Sequence, residues 1–177
     1  NDNIENEEEF YKGIVAPDLE LDKNKSHYTG CLDKSNLKYY LSKRTELYKF
    51  LLDNEINNDY NLGIFIHLVT DYLFFNSFFD NNYIENIDIN TYNNDLYHSY
   101  DNTDEYVINK YNLSFPYLEK SMNEAKERAR KKKNTSYENG KDILPFDKLD
   151  KFIDYVASIN MYEYKDKIID NKDNILP

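Results

Sequence analysis

Apolar positions along this chain recur at three- and four-residue intervals, and no stretch alternates apolar with polar residues in the rhythm of a half-buried strand. Leu37, Tyr40, Leu41, Leu47, Tyr48, Leu51 and Leu52 predict an amphipathic helix that starts at a Ser35 N-cap and ends near Asp53. The next stretch, with Asp59 as its expected cap, is apolar nearly all round: Leu62, Ile64, Phe65, Ile66, Leu68, Val69, Leu73, Phe74 and Phe75. A helix over 60–79 with that pattern belongs at the centre of a core. Phe146, Leu149, Phe152, Ile153, Val156 and Ile159 predict another amphipathic helix over 146–160, and a short one follows over 162–169.

Further helices are expected from Asp101 or Thr103 to Tyr111, and over 114–133, where Ser114 caps and Pro116 falls in the first turn. Residues 1–9 are acidic and expected to fray, with a short helix from Phe10 to Val15 ending near Gly13. IVAPDLELDKNKSHYTG has loop composition, because Pro17 stops a helix and Asp, Lys, Asn and Ser follow. Residues 80–100 are rich in Asn and Asp and are expected to form a long irregular segment. With no strand pattern and no internal repeat, the fold class is all-α: one domain over 1–177, a bundle of five to seven helices.

Composition narrows the function classes. At 177 residues, 40% hydrophobic and 31% charged, the chain suits a single globular domain. A net charge of −11 repels phosphate backbones, so nucleic acid is not an expected partner. A phosphorylated small molecule stays compatible, because a bound dication reverses the local sign. The single cysteine, Cys31, forms no intrachain disulfide and reads as a small buried thiol rather than a ligand. The apolar stretch Leu62 to Phe79 approaches membrane-spanning length, but it carries His67, Asp71, Asn76 and Ser77, so it reads as a buried helix and not a transmembrane segment. No secretory signal is evident, which favours a cytoplasmic location. The basic run from Lys126 to Lys133 reads as a helix end that complements its own dipole rather than a membrane patch.

The chemistry concentrates around two of the three histidines. His67 lies mid-way along the most apolar helix, and Asp71 follows at i+4, on the same face. A carboxylate there is costly unless it is paired. A divalent cation shared by His67 and Asp71 removes the cost; so does a hydrogen bond between them, which is the commoner arrangement for an isolated pair. Asp18, in APD, and His27, in SHY, lie upstream. Two carboxylates and two imidazoles suit Zn²⁺, and also Fe²⁺ or Mn²⁺. His98, in the Asn-rich segment, and Glu20 and Asp22, just past Asp18, are secondary candidates for approach to the site.

FYKGIVAPDLELDKNKSHY followed by NLGIFIHLVTDYLF resembles the zinc-dependent phospholipase C family, which is related to the P1-type nucleases. The matching residues are Gly13, Ala16, Pro17 and Asp18, then His27, then Gly63, His67 and Asp71, within residues 9–79. The resemblance implies the family's all-α fold, with Asp18, His27, His67 and Asp71 as ligands of one zinc. It also implies hydrolysis of a phosphoester, from a small molecule or a lipid, with Asp18 orienting the nucleophile. The family's other ions use an early histidine segment, an N-terminal amino group and a second histidine pair. This chain has Ser77 and Asn81 near where that pair would begin, so a reduced metal site is expected. The alternative is a non-catalytic structural or interaction protein that keeps the ion. An HD-type phosphohydrolase ranks last, because no adjacent His-Asp doublet occurs.

Overall fold

A computed structural model describes residues 4–78, 87–114, 139–144 and 146–177, together with 123 and 127. Every regular element among them is helical, as the apolar periodicity requires. In order these are α1 (Glu7–Leu19), α2 (Lys23–Ser26), α3 (Leu37–Ser42), α4 (Leu47–Asp53), α5 (Asp59–Leu73), a π-helical turn (Phe74–Phe78), α6 (Ile89–Tyr111), α7 (Phe146–Ser158) and α8 (Met161–Asn171). No helix among the described residues is long and apolar enough to cross a membrane.

Helix α1 corrects two expectations. The acidic residues Glu7, Glu8 and Glu9 form its first turn, where their charge complements the dipole, and Asn6 caps it by accepting from the Glu9 N–H. The helix then runs through Gly13 and Pro17 instead of stopping before them. Proline removes one donor and crowds the carbonyl four residues back. Here that carbonyl belongs to Gly13, and the helix ends two residues beyond Pro17, so the cost falls on a final turn. Asp18 is therefore a helical residue and not part of a loop.

The helix expected from Ser35 to Asp53 is two helices. Asn36, not Ser35, caps α3, and the chain breaks over 43–46 before α4 begins. No Gly or Pro marks the break; tertiary hydrogen bonds do. The Glu46 N–H donates to the His27 carbonyl at 3.0 Å. Asn174, near the C-terminus, donates to the Thr45 carbonyl at 3.1 Å and accepts from the Tyr48 N–H at 3.0 Å. A distant residue thus caps α4, whose own first residues supply no side-chain cap.

Asn58 caps α5, while Asp59 accepts from the backbone N–H groups of Glu5 at 3.0 Å and Asn6 at 2.6 Å. This ties the start of α5 to the entry of α1. As expected, α5 is central. Leu62, Phe65, Leu68, Val69 and Leu73 are buried in one core with Leu47, Phe50, Met161, Tyr164 and Ile168. Phe75 and Phe78, in the π-helical turn, enter a second core with Leu37, Leu41, Tyr92, Leu96, Leu144 and Leu149.

The segment expected to be irregular over 80–100 is corrected where it is described: α6 starts at Ile89, with Asp88 as its cap, while residues 80–86 lie outside the described residues. Its buried face is a narrow row of Tyr92, Asp95, Leu96, Ser99 and Thr103. Asp95 accepts the Lys141 N–H at 3.0 Å, and Ser99 accepts the Ile143 N–H at 2.9 Å, which fastens the segment 141–143 onto the helix. Both C-terminal helices fall where predicted. The helix expected over 114–133, with its basic run, lies outside the described residues apart from 114, 123 and 127. Cys31 is exposed, contrary to the expectation of a buried thiol.

Helices α1 and α5 run in the same direction and touch backbone to backbone. A Cβ on Gly63 would lie 2.2 Å from the Phe10 carbonyl oxygen and 2.8 Å from the Ile14 nitrogen. A Cβ on Gly13 would lie 2.1 Å from the Tyr60 carbonyl oxygen. Backbone atoms inside helices do not swing aside. Gly63→Ala is therefore expected to lower the unfolding free energy by about 2 kcal/mol or more, although alanine is the better helix former by about 1 kcal/mol. Gly30 has open space around its Cβ position, and Gly30→Ala is expected to stay within about 0.5 kcal/mol of the parent protein. Urea denaturation of both variants checks the pair; equal stability would contradict the close crossing.

Candidate metal centre

The α1–α5 crossing carries the site with it. Asp18 follows Gly13 by five residues on α1, and His67 follows Gly63 by four on α5. Both therefore leave the crossing at its C-terminal side. His27 comes from a third place, the C-cap of α2. Asp22 caps that short helix, and Tyr28 ends it in the left-handed region at φ 60°. The bond from Glu46 to the His27 carbonyl holds this turn against the α3–α4 break. Asp18 and His27 thus sit on separate helix ends rather than on the single loop read from the sequence.

The three side chains meet. One ligand atom each from Asp18, His27 and His67 lies within 4.8 Å of the other two. Three points so spaced always share a centre within about 2.8 Å of each, so less than an ångström of inward movement gives zinc bonds of about 2.0–2.2 Å. The imidazole rings stand edge to face, with centroids 5.6 Å apart. His27 is 2% exposed, and its Nδ1 lies 2.8 Å from Ser26 Oγ, a contact that orients the ring and leaves Nε2 facing the cluster. His67 Nε2 is buried and has no hydrogen-bond partner. A buried imidazole nitrogen without a partner is costly, and a cation is the partner the surrounding donors suit.

Asp71 stands beside the imidazoles. Its Oδ2 is 3.1 Å from His27 Nε2 and 3.9 Å from His67 Nε2. Burial pushes this carboxyl up, but the His27 hydrogen bond and the nearby His67 and Arg44 outweigh burial and hold it well below the usual carboxylate range. The Asp18 carboxyl is also lowered: desolvation raises it, while His67 and then Lys23 pull it down further. Its side chain remains 60% exposed, so the cluster opens to solvent on this side. Lys23 donates to Asp18 Oδ1 at 2.8 Å and to the Pro17 carbonyl at 3.0 Å. Sequence reading missed Ser26 and Lys23. Their proximity to His27 and Asp18 in the chain was the available signal, but neither residue type is distinctive of a metal site.

The other candidates lie elsewhere. His98 sits on α6, with Nε2 3.8 Å from Asp142 Oδ1. Asp22 serves as a helix cap, and Glu20 accepts from the Asp22 N–H at 3.1 Å. Cys31 is not part of the cluster. In comparison with known proteins, no family model, no curated protein and no solved structure matches this chain.

In metal-free protein, the depressed Asp71 carboxyl contributes stability that is fully present above the ordinary carboxylate value of about 4. It is lost as the pH falls towards the lowered folded value. Asp71→Asn is therefore expected to cost about 1–3 kcal/mol near neutral pH, with the gap closing as the pH drops below about 4. Denaturation in EDTA across that range checks this; a gap independent of pH would contradict an ionised Asp71 carboxylate held by the His27 hydrogen bond.

Proposed function

We propose that this chain is a metal-dependent phosphoester hydrolase, most compatible with zinc, that resembles zinc-dependent phospholipase C and keeps a reduced metal site. The observation that carries the reading is the meeting of Asp18, His27 and His67, with one ligand atom of each within 4.8 Å of the others and the Nε2 of His67 buried without a partner. Asp18, His27 and His67 would hold the ion, with Asp71, whose Oδ2 now faces His27 Nε2, as the fourth ligand. Once bound, a zinc ion supplies a Lewis acid for activating water and for the charge that builds on phosphoryl oxygens.

The chain's own residues have distinct parts in this reading. With an ion bound, Nε2 of His27 would exchange its hydrogen bond to Asp71 for the ion, and a hydrogen on Nδ1 facing Ser26 Oγ would keep the ring oriented. Asp18, the most exposed of the four, orients the attacking water at the solvent side. The histidine side is the more enclosed, with the His27 side chain 2% and the His67 side chain 12% exposed. Ser77, where the family's second histidine pair would begin, donates to the Leu73 carbonyl at 2.7 Å, which fits a single-ion site better than a cluster.

A second reading is a structural metal site with no turnover. Asp71 favours it, because a fourth protein ligand would close a tetrahedral shell. The exposure of Asp18 favours the hydrolase.

Elemental analysis and turnover on a panel of phosphomonoesters and phosphodiesters separate these. The parent protein is expected to hold on the order of one zinc per chain and His67→Ala far less, with hydrolysis lost on chelation and restored by zinc. Equal metal in both proteins would overturn the metal centre. Zinc in the parent protein with no turnover, but a large loss of thermal stability on chelation, would leave the structural reading.

A further inference from the structure

Arg44 lies in the break between α3 and α4, one of the tertiary bends that periodicity did not reveal. Its guanidinium stacks over the Phe75 ring, 4.5 Å from the centroid. Phe75 follows Asp71 by four residues where α5 passes into the π-helical turn, so the two side chains leave the same helical face. The guanidinium is also near enough for its charge to help hold down the Asp71 carboxyl, which stands beside the candidate cluster. Tyr40, Tyr92 and Tyr100 pack in the same core region as Phe75.

What this guanidinium lacks is an acceptor. Among the described residues, no carboxylate comes within ion-pair distance of Arg44, and its side chain makes no hydrogen bond. Arginine carries five N–H donors in a rigid fork; this fork is half-buried, and with no protein acceptor its donors are left to solvent or to a ligand. The Phe75 face supports the cation but leaves the in-plane donors unused. The other cation at the cluster, Lys23, is already committed to Asp18 and the Pro17 carbonyl. In a chain of net charge −11, an unpaired arginine beside the candidate site is the group best suited to attract and orient an anion.

We infer that Arg44 is the anion-recognition residue of this site, placed by Phe75 to grip a phosphoryl oxygen of a phosphate-bearing ligand whose other oxygen faces the metal ligands. The inference rests on the hydrolase reading above and deepens it. It assigns the substrate-binding role that no residue in the sequence motif supplies. Arg44 would act by two parallel N–H···O bonds to the phosphoryl group, which explains why its donors have no protein partner.

The test uses the zinc-loaded full chain and two soluble probes, inorganic phosphate and glycerophosphocholine, with affinities measured by calorimetry and zinc content measured on the same samples. Arg44→Met is expected to keep its zinc and its helical circular dichroism but to bind the better probe at least about tenfold more weakly. Arg44→Lys keeps the charge without the fork, and is expected to fall between the two. It also carries the test if the methionine variant does not fold. The probe that binds more tightly distinguishes a free phosphate from a lipid-derived diester, and dependence of either one on Arg44 supports the assignment. Unchanged affinity for both probes in a zinc-loaded Arg44 variant overturns the Arg44 assignment alone. A parent protein that takes up no zinc overturns the hydrolase reading and the inference together.

Discussion

The backbone contact between Gly13 and Gly63 is the constraint on which the rest of this molecule depends. Helices carrying ordinary side chains stay 8–10 Å apart, at about the width of two interleaved side-chain layers. Two glycines at the crossing remove that layer, and each fills space that a Cβ on the other helix would need. The close approach sets Asp18 and His67 on neighbouring turns of parallel helices. It also explains why an all-round apolar helix can carry a histidine at its middle: one flank of α5 faces a helix that arrives close and ends in a carboxylate.

The remaining parts of the site hang from that crossing by hydrogen bonds rather than by core packing. His27 is the C-cap of a four-residue helix too short to hold its own position. The α3–α4 break anchors it through Glu46, and the break is in turn clamped by Asn174 near the C-terminus. Residues from three distant parts of the chain, the α2 turn, the α3–α4 break and Asn174, therefore determine where one imidazole points. Arg44 sits in the same break, so a single bend supplies both the anchor for His27 and a guanidinium near Asp71.

The periodicity of α5, α7 and α8 was legible because apolar side chains at helical spacing leave few other solutions, and the His67–Asp71 spacing places both on one face by geometry alone. Other elements were not legible for identifiable reasons. Pro17 normally ends a helix, but its cost is small where the helix ends two residues later. The α3–α4 break has no local breaker and exists because Glu46 and Asn174 find partners far away in sequence. Helix α6 was hidden by composition: its core face uses Asp95, Ser99 and Thr103 beside Tyr92 and Leu96, so polar groups satisfied by backbone partners stand where apolar residues were sought. The convergence of Asp18 and His27 on His67 was expected from motif resemblance; their separate helical settings were not. Arg44 carried no sequence signal at all, since only tertiary structure shows that its guanidinium lacks an acceptor.

The convergence of three donors on one point is best examined by zinc K-edge absorption on the zinc-loaded chain. Two imidazole nitrogens and carboxylate oxygen are expected in the first shell at about 2.0–2.2 Å, with one imidazole lost in His27→Ala and one in His67→Ala. A shell containing the Cys31 sulfur, or one whose imidazole count is the same in both variants as in the parent protein, would contradict a site built by the α1–α5 crossing.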